Sequence, residues 1–339
     1  MSLYVASLTQ SAQRVGWLID ASRRSLSDPR GMRIVLSIDM EGTAGISSVR
    51  ELLACCPEYW DTGRARLTDD VLAAASGLLD GGASEVIILD NHASGHPTNL
   101  IADHLPSGVQ VATENVFDLP QAGIDGMLQI GYHPRRSVAG FAPHTYIPGL
   151  RLWMDDEEIS ESHGRVWAAQ TALLGITGHA NHGNSLGSLD EVPFLAVQHG
   201  TDPHQPQPVF TSPAESAEAI RSFARETVRH IVDAPRPTAT RDATFAATLE
   251  HPDDAQVRMM LAGGWVRQSD DTFAVPLLGW AQAREPLAAA MRAAMAPFVG
   301  PLTALDMSSR DAMTRQDPEL RDRLTTMFLE SLRADPDPA

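Results

Sequence analysis

The chain has 339 residues and 43% hydrophobic content, enough to bury a sizeable core in one large or two ordinary domains, which excludes a disordered chain. Its formal net charge of −17 argues against nucleic acid or an anionic membrane as partner, because both call for basic surfaces. Cys55 and Cys56 are the only cysteines, too close for an ordinary structural disulfide, so a reducing cytoplasm is the expected location.

No apolar run reaches the ~20 residues of a membrane span, and residues 1–30 lack the continuous apolar core of a secretion signal. Instead that stretch has apolar residues near helical spacing and ends at Asp28-Pro29, which predicts a helical extension over 1–31. Residues 33–38 (RIVLSI) then read as a buried strand. Thr68 is placed to cap a helix that ends at Gly81-Gly82, and 85–90 (EVIILD) reads as a second buried strand. Further strands are expected at 109–112, 127–130 and 194–197, with helices around 161–174 and 213–231.

This alternation predicts an α/β domain over 32–235, with a mostly parallel central sheet flanked by helices. From 236 the pattern changes to strand, helix, strand and a long Ala-rich helix, read as a smaller α+β lobe over 236–300. Residues 301–339 read as a charged helical tail.

The chemistry gathers where strands end. Strand 33–38 runs into Asp39 and Glu41, which alternation would place on one side of the chain. The second strand leads to Asp90 and His92, and 126–131 (GMLQIG) leads to His133. In open α/β sheets ligands bind beyond the carboxyl ends of the strands, so these ends could share one crevice. His144 and Glu161 follow downstream. Each has a bland reading by itself, Asp90 as a turn residue and Glu161 as a complement to a helix dipole. Together they form a set suited to zinc, which takes imidazole nitrogen and carboxylate oxygen. Three carboxylates against two divalent ions leave one positive charge, which a hydroxide would neutralise; that hydroxide is the nucleophile a hydrolase needs.

The segments SIDMEG, DNHASG, GYHPRRS, His144 eleven residues beyond His133, and GLRLWMDDEEISE, in that order, resemble the D-aminopeptidase (DppA-like) family of di-zinc metallopeptidases. The resemblance covers roughly residues 32–300. It implies two Zn2+ per chain, with Asp39 bridging them, Glu41, His92, His133 and Glu161 as the other ligands, and His144 as the catalytic histidine. It further implies removal of N-terminal D-amino acids from short peptides, or from a peptide-like small molecule, and assembly of a homo-oligomer such as a decameric ring.

Departures leave alternatives open. The interval from His144 to Glu161 is about one residue short for the family, which predicts a tight hairpin at Asp155-Asp156 and makes Glu158 a rival ligand. Arg151 could anchor a substrate carboxylate or pair with Asp155 or Glu157. Trp153 and Trp167 could line a pocket or pack in the core. His163 reads as a spare imidazole. The segment ITGHANHGNSLGS, with His179, Asn181, His182 and Asn184, reads as a plain turn, a substrate-facing loop or a third metal site. Competing functions are a specialised amidase or acyl transferase on the same metals, a phosphoesterase, and a non-catalytic scaffold. Manganese, cobalt and iron also suit such ligands.

Overall fold

The computed structural model describes residues 31–94, 98–112, 123–138, 140–155, 157–162, 165, 171–179, 195–199, 213–231, 243–277, 280–303 and 318–331. The expected N-terminal helix, His163, Trp167, residues 181–184 including Asn184, and the last eight residues of the chain lie outside them.

A six-stranded parallel sheet forms the centre. It comprises β1 (Arg33–Ile38), β2 (Glu85–Asp90), β3 (Val109–Val111), β4 (Gly126–Tyr132), β7 (Ala172–His179) and β8 (Leu195–His199), in the order β3-β2-β1-β4-β7-β8. Alternation decides what each face meets. Ile34, Leu36 and Ile38 pack with Leu67, Val71, Ala74 and Leu78 of α1 (Pro57–Asp80) and with Ile220 and Ala224 of α2 (Pro213–Val228). Val35, Ile87, Leu89 and Met127 point the other way, into a second core.

That second core is closed by an antiparallel sheet in the order β10-β11-β9-β5-β6, made of β5 (Leu150–Met154), β6 (Glu157–Ile159), β9 (Ala243–Leu249), β10 (Val266–Arg267) and β11 (Thr272–Leu277). Helices α3 (Asp254–Ala262) and α4 (Trp280–Thr303) complete the lobe. Leu150, Leu152, Phe245, Ala247 and Phe273 meet Leu287 and Ala290 of α4 in this core. The sheet takes β5 and β6 from the chain between β4 and β7, so it draws on segments from both sides of residue 236. A last helix, α5 (Pro318–Ser331), lies against the 49–56 segment through Leu324, Leu53, Cys55 and Cys56.

Two local expectations are corrected and a third holds. Thr68 does not start a helix: α1 already begins at Pro57, whose fixed φ and missing N–H suit a first turn, and the Thr68 hydroxyl donates to the Arg64 carbonyl at 2.7 Å inside it. The helix expected over 161–174 gives way by Ala172 to β7, because an apolar run such as ALLGIT fits a buried strand as well as a helix. The hairpin expected at Asp155-Asp156 is present, with Asp155 at φ 50° joining β5 to β6. Among the described residues no helix is long and apolar enough to cross a membrane.

Candidate metal centre

The parallel strands, numbered among themselves, run 3-2-1-4-5-6, so the order reverses between β1 and β4. At such a switch point neighbouring connections leave on opposite faces and open a crevice at the strand ends. Asp39 follows β1, His133 follows β4, and His92 lies two residues past β2.

Strand β1 stops at Ile38, so Asp39 and Glu41 do not share a pleat as alternation would have it. They converge through a turn about Met40, whose N–H donates to Asp39 Oδ1 at 2.9 Å and to Glu41 Oε2 at 3.2 Å. The turn is pinned to β4: Asp39 N–H donates to the Ile130 carbonyl, and Gly42 N–H to that of Gly131, both at 2.8 Å. Gly131 adopts φ +75°, and a side chain there would strike the Asp39 carbonyl. The β4–β7 ladder slips register over Gln129–Tyr132, the sort of irregularity that re-aims a side chain beside a site.

The result is a buried cluster in which Asp39 faces both ways. Its Oδ1 lies 3.3 Å from His92 Nδ1 and its Oδ2 lies 3.5 Å from His133 Nε2. Glu41 Oε1 stands 3.2 Å from His92 Nδ1, and Glu161 Oε2 stands 3.5 Å from His133 Nε2. Two carboxylate–histidine pairs therefore flank one shared carboxylate. Ligand atoms of Asp39, Glu41 and His133 lie within 4.8 Å of one another, as do those of His133, His144 and Glu161.

Backbone carbonyls fix the imidazoles, since a carbonyl can only accept. His92 Nε2 donates to Leu52 O at 2.7 Å, His133 Nδ1 to Pro134 O at 2.9 Å, and His144 Nδ1 to Ala142 O at 2.8 Å. In His92 and His133 the other nitrogen is the one aimed at the carboxylates, and it must carry either a second proton or a cation. Metal-ligating histidines are held in this way, with the distal N–H committed to a backbone carbonyl or carboxylate. The donor set thus fits a metal.

Burial disfavours charge throughout this cluster, yet the pairs overcome it unequally. Burial alone would raise Asp39, but hydrogen bonds with His133 and His92 hold its carboxyl well below the ordinary range. Burial and then the Asp39 charge push Glu41 up. For His92 and His133 burial works against protonation, and the neighbouring carboxylates outweigh it, so both rise well above the ordinary imidazole value. His144 goes the other way: burial, then the charge of His133, hold it well below that value and leave it neutral. Its ring stacks on His133 with centroids 3.7 Å apart, and the Pro134 carbonyl also accepts the His144 backbone N–H at 3.1 Å.

Other candidates lie elsewhere. Glu158 is taken by Arg151, whose Nε and Nη2 reach its two oxygens at 3.1 Å each, and Arg151 stacks over Trp153 at 4.9 Å. Glu158 is thus an ion-pair partner of Arg151, its carboxylate turned to the guanidinium. Asp90 accepts from the Asn99 backbone and side-chain amides at 2.7 and 2.8 Å, the turn role. Sequence reasoning passes over Arg165, a buried residue whose Nε and Nη2 both donate to Glu161 Oε1 at 3.3 Å. Its one signal is the i,i+4 spacing from Glu161.

A family model described as D-aminopeptidase matches residues 32–289. The chain belongs to the D-aminopeptidase family. A D-aminopeptidase of Bacillus subtilis (strain 168) is 26% identical over 137 residues, which are 38% of this chain and 48% of that protein, so the match spans about half the relative's length. Among solved structures, one described as the Zn-dependent D-aminopeptidase DppA from Bacillus subtilis, a self-compartmentalizing protease, superposes with a TM-score of 0.67 at 18% identity. That superposition covers 78% of this chain and 98% of the other, and it establishes a shared fold.

Proposed function

We propose that this D-aminopeptidase family member is a zinc-dependent peptide hydrolase that removes an N-terminal amino acid, D-configured by analogy with its relatives, from short peptides or a peptide-like metabolite. The observation that carries the reading is the Asp39 carboxylate, which gives one oxygen to a His92–Glu41 pair and the other to a His133–Glu161 pair. Buried carboxylates repel unless positive charge lies between them, and a shared carboxylate is what a two-metal site calls for. On this reading Asp39, Glu41 and His92 would hold one ion, and Asp39, His133 and Glu161 the other. Zinc bound there would supply Lewis acidity toward a peptide carbonyl and a water acidified toward neutral pH.

The protein's own groups do the rest. His144 is neutral, with Nδ1–H spent on the Ala142 carbonyl, so its Nε2 is the atom able to accept a proton and return it to a leaving amine. Stacking on His133 fixes the ring plane in which that transfer takes place.

Assembly into a homo-oligomer belongs to the same proposal, by analogy with a relative described as self-compartmentalizing. Free, buried Cys55 and Cys56 fit a reducing cytoplasm. The test is a substrate panel on zinc-loaded protein: D- and L-aminoacyl amides, a D-Ala-D-Ala type dipeptide and aryl phosphates. Turnover of D-aminoacyl compounds is expected; hydrolysis of phosphates alone would contradict the proposal.

A further inference from the structure

We infer that Arg165 is a positioning residue of the metal centre, fixing Glu161 so that one carboxylate oxygen is spent inside the protein and the other is reserved for an ion. The inference rests on the two-metal reading above.

The geometry separates this arrangement from an ordinary ion pair. A guanidinium and a carboxylate left to themselves form a fork, with two parallel hydrogen bonds to two oxygens. Here Arg165 Nε and Nη2 both converge on Glu161 Oε1, at 3.3 Å each. Oε2 instead accepts the Tyr146 backbone N–H at 3.0 Å and faces His133 Nε2 at 3.5 Å. That oxygen is thereby aimed at the imidazole nitrogen proposed to bind the same ion.

The guanidinium cannot easily turn. Its Nη1 donates to Asn91 Oδ1 at 2.6 Å, and the Asn91 side-chain amide donates to Ser37 Oγ at 2.7 Å. Ser37 Oγ in turn lies 2.6 Å from the Tyr132 hydroxyl. The Tyr146 ring lies beneath the guanidinium at 5.2 Å, and Arg165 is only 6% exposed, which rules out a solvent-facing role. Asn91 immediately precedes His92, and Tyr132 immediately precedes His133. One cation therefore ties the Glu161 side of the cluster to the strand ends that carry both histidines. Arg165 also places a fixed positive charge on Glu161, so that this carboxylate stays paired whether or not an ion is present.

The test uses full-length protein stripped of metal and retitrated with Zn2+ against a chromophoric chelator. For R165M one of the two zinc ions, that assigned to Asp39, His133 and Glu161, should bind about 10–100-fold less well than in wild type, the usual penalty for losing a group that orients a ligand. R165K, which restores charge but not the several-point contact, should recover part of the loss, and N91A should fall between R165K and wild type. A purely structural salt bridge would lower the thermal midpoint and leave the zinc affinities of the folded protein alone. Affinities within about twofold of wild type in folded R165M, or in R165K and N91A if R165M does not fold, would overturn the inference. Wild-type protein that takes up no zinc would instead overturn the two-metal reading beneath it.

Discussion

Asp39 sends its two oxygens to different histidines, and the Asp39→Ala and Glu41→Ala variants should therefore differ in kind. Loss of the shared carboxylate should leave neither ion bound after dialysis, whereas Glu41→Ala should keep the ion on the His133–Glu161 side; metal analysis per chain distinguishes them. His144→Ala should retain metal while kcat/KM falls by about 10²–10⁴, the usual contribution of a proton-transferring group. Protonation gives a further test. Without metal, His92 and His133 are raised above the ordinary imidazole value by their carboxylates, so both carry protons at neutral pH. A raised imidazole contributes stability that is complete below the unfolded value and is lost as pH rises through the folded one. Metal-free protein should thus lose thermal stability as pH rises through that range, and zinc uptake should release protons, with affinity falling as pH falls; titration in buffers of different ionisation enthalpy measures the release. Proximity of Asp39, Glu41, His92, His133, His144 and Glu161 was foreseeable because three of these segments follow strand ends. Arg165 and Asn91 were not, since their contribution lies in which oxygen they occupy, and no residue pattern encodes that.

Strand ends and one irregular strand set the geometry. Gly131 sits at φ +75° in the register slip of β4, against the Asp39 carbonyl, one residue ahead of Tyr132 and two ahead of His133. Gly131→Ala should cost about 1–2 kcal/mol from the left-handed backbone alone, with more from the contact, and should weaken zinc binding as well as lower the unfolding midpoint. Both effects are read from one thermal scan with and without zinc. Periodicity and residue type reveal β1 and β2 to the residue, because a run of Ile, Val and Leu between turn signals is a buried strand. Thr68 draws the expected start of α1 away from Pro57, which is itself a first-turn signal, and the slip in β4 arises from pairing with β7.

At the scale of the molecule the site lies where the parallel sheet reverses its order, with an antiparallel lobe closing the opposite face. A mostly parallel α/β domain with a second lobe is legible in the alternation of strand and helix patterns. Strand order is not, because β1 pairs with β2 and β4 through contacts far apart in sequence, and the same holds for the use of β5 and β6 in the second sheet. Homo-oligomer formation is expected, and sedimentation of the full-length protein should give a mass well above the 36.6 kDa of one chain. The central claim is that Asp39 is shared between two metal ions. The most direct measurement is the zinc content of purified full-length protein after equilibration with zinc and removal of the excess. About two ions per chain, both removed by chelation, is the predicted result; protein that retains no zinc under those conditions would contradict it.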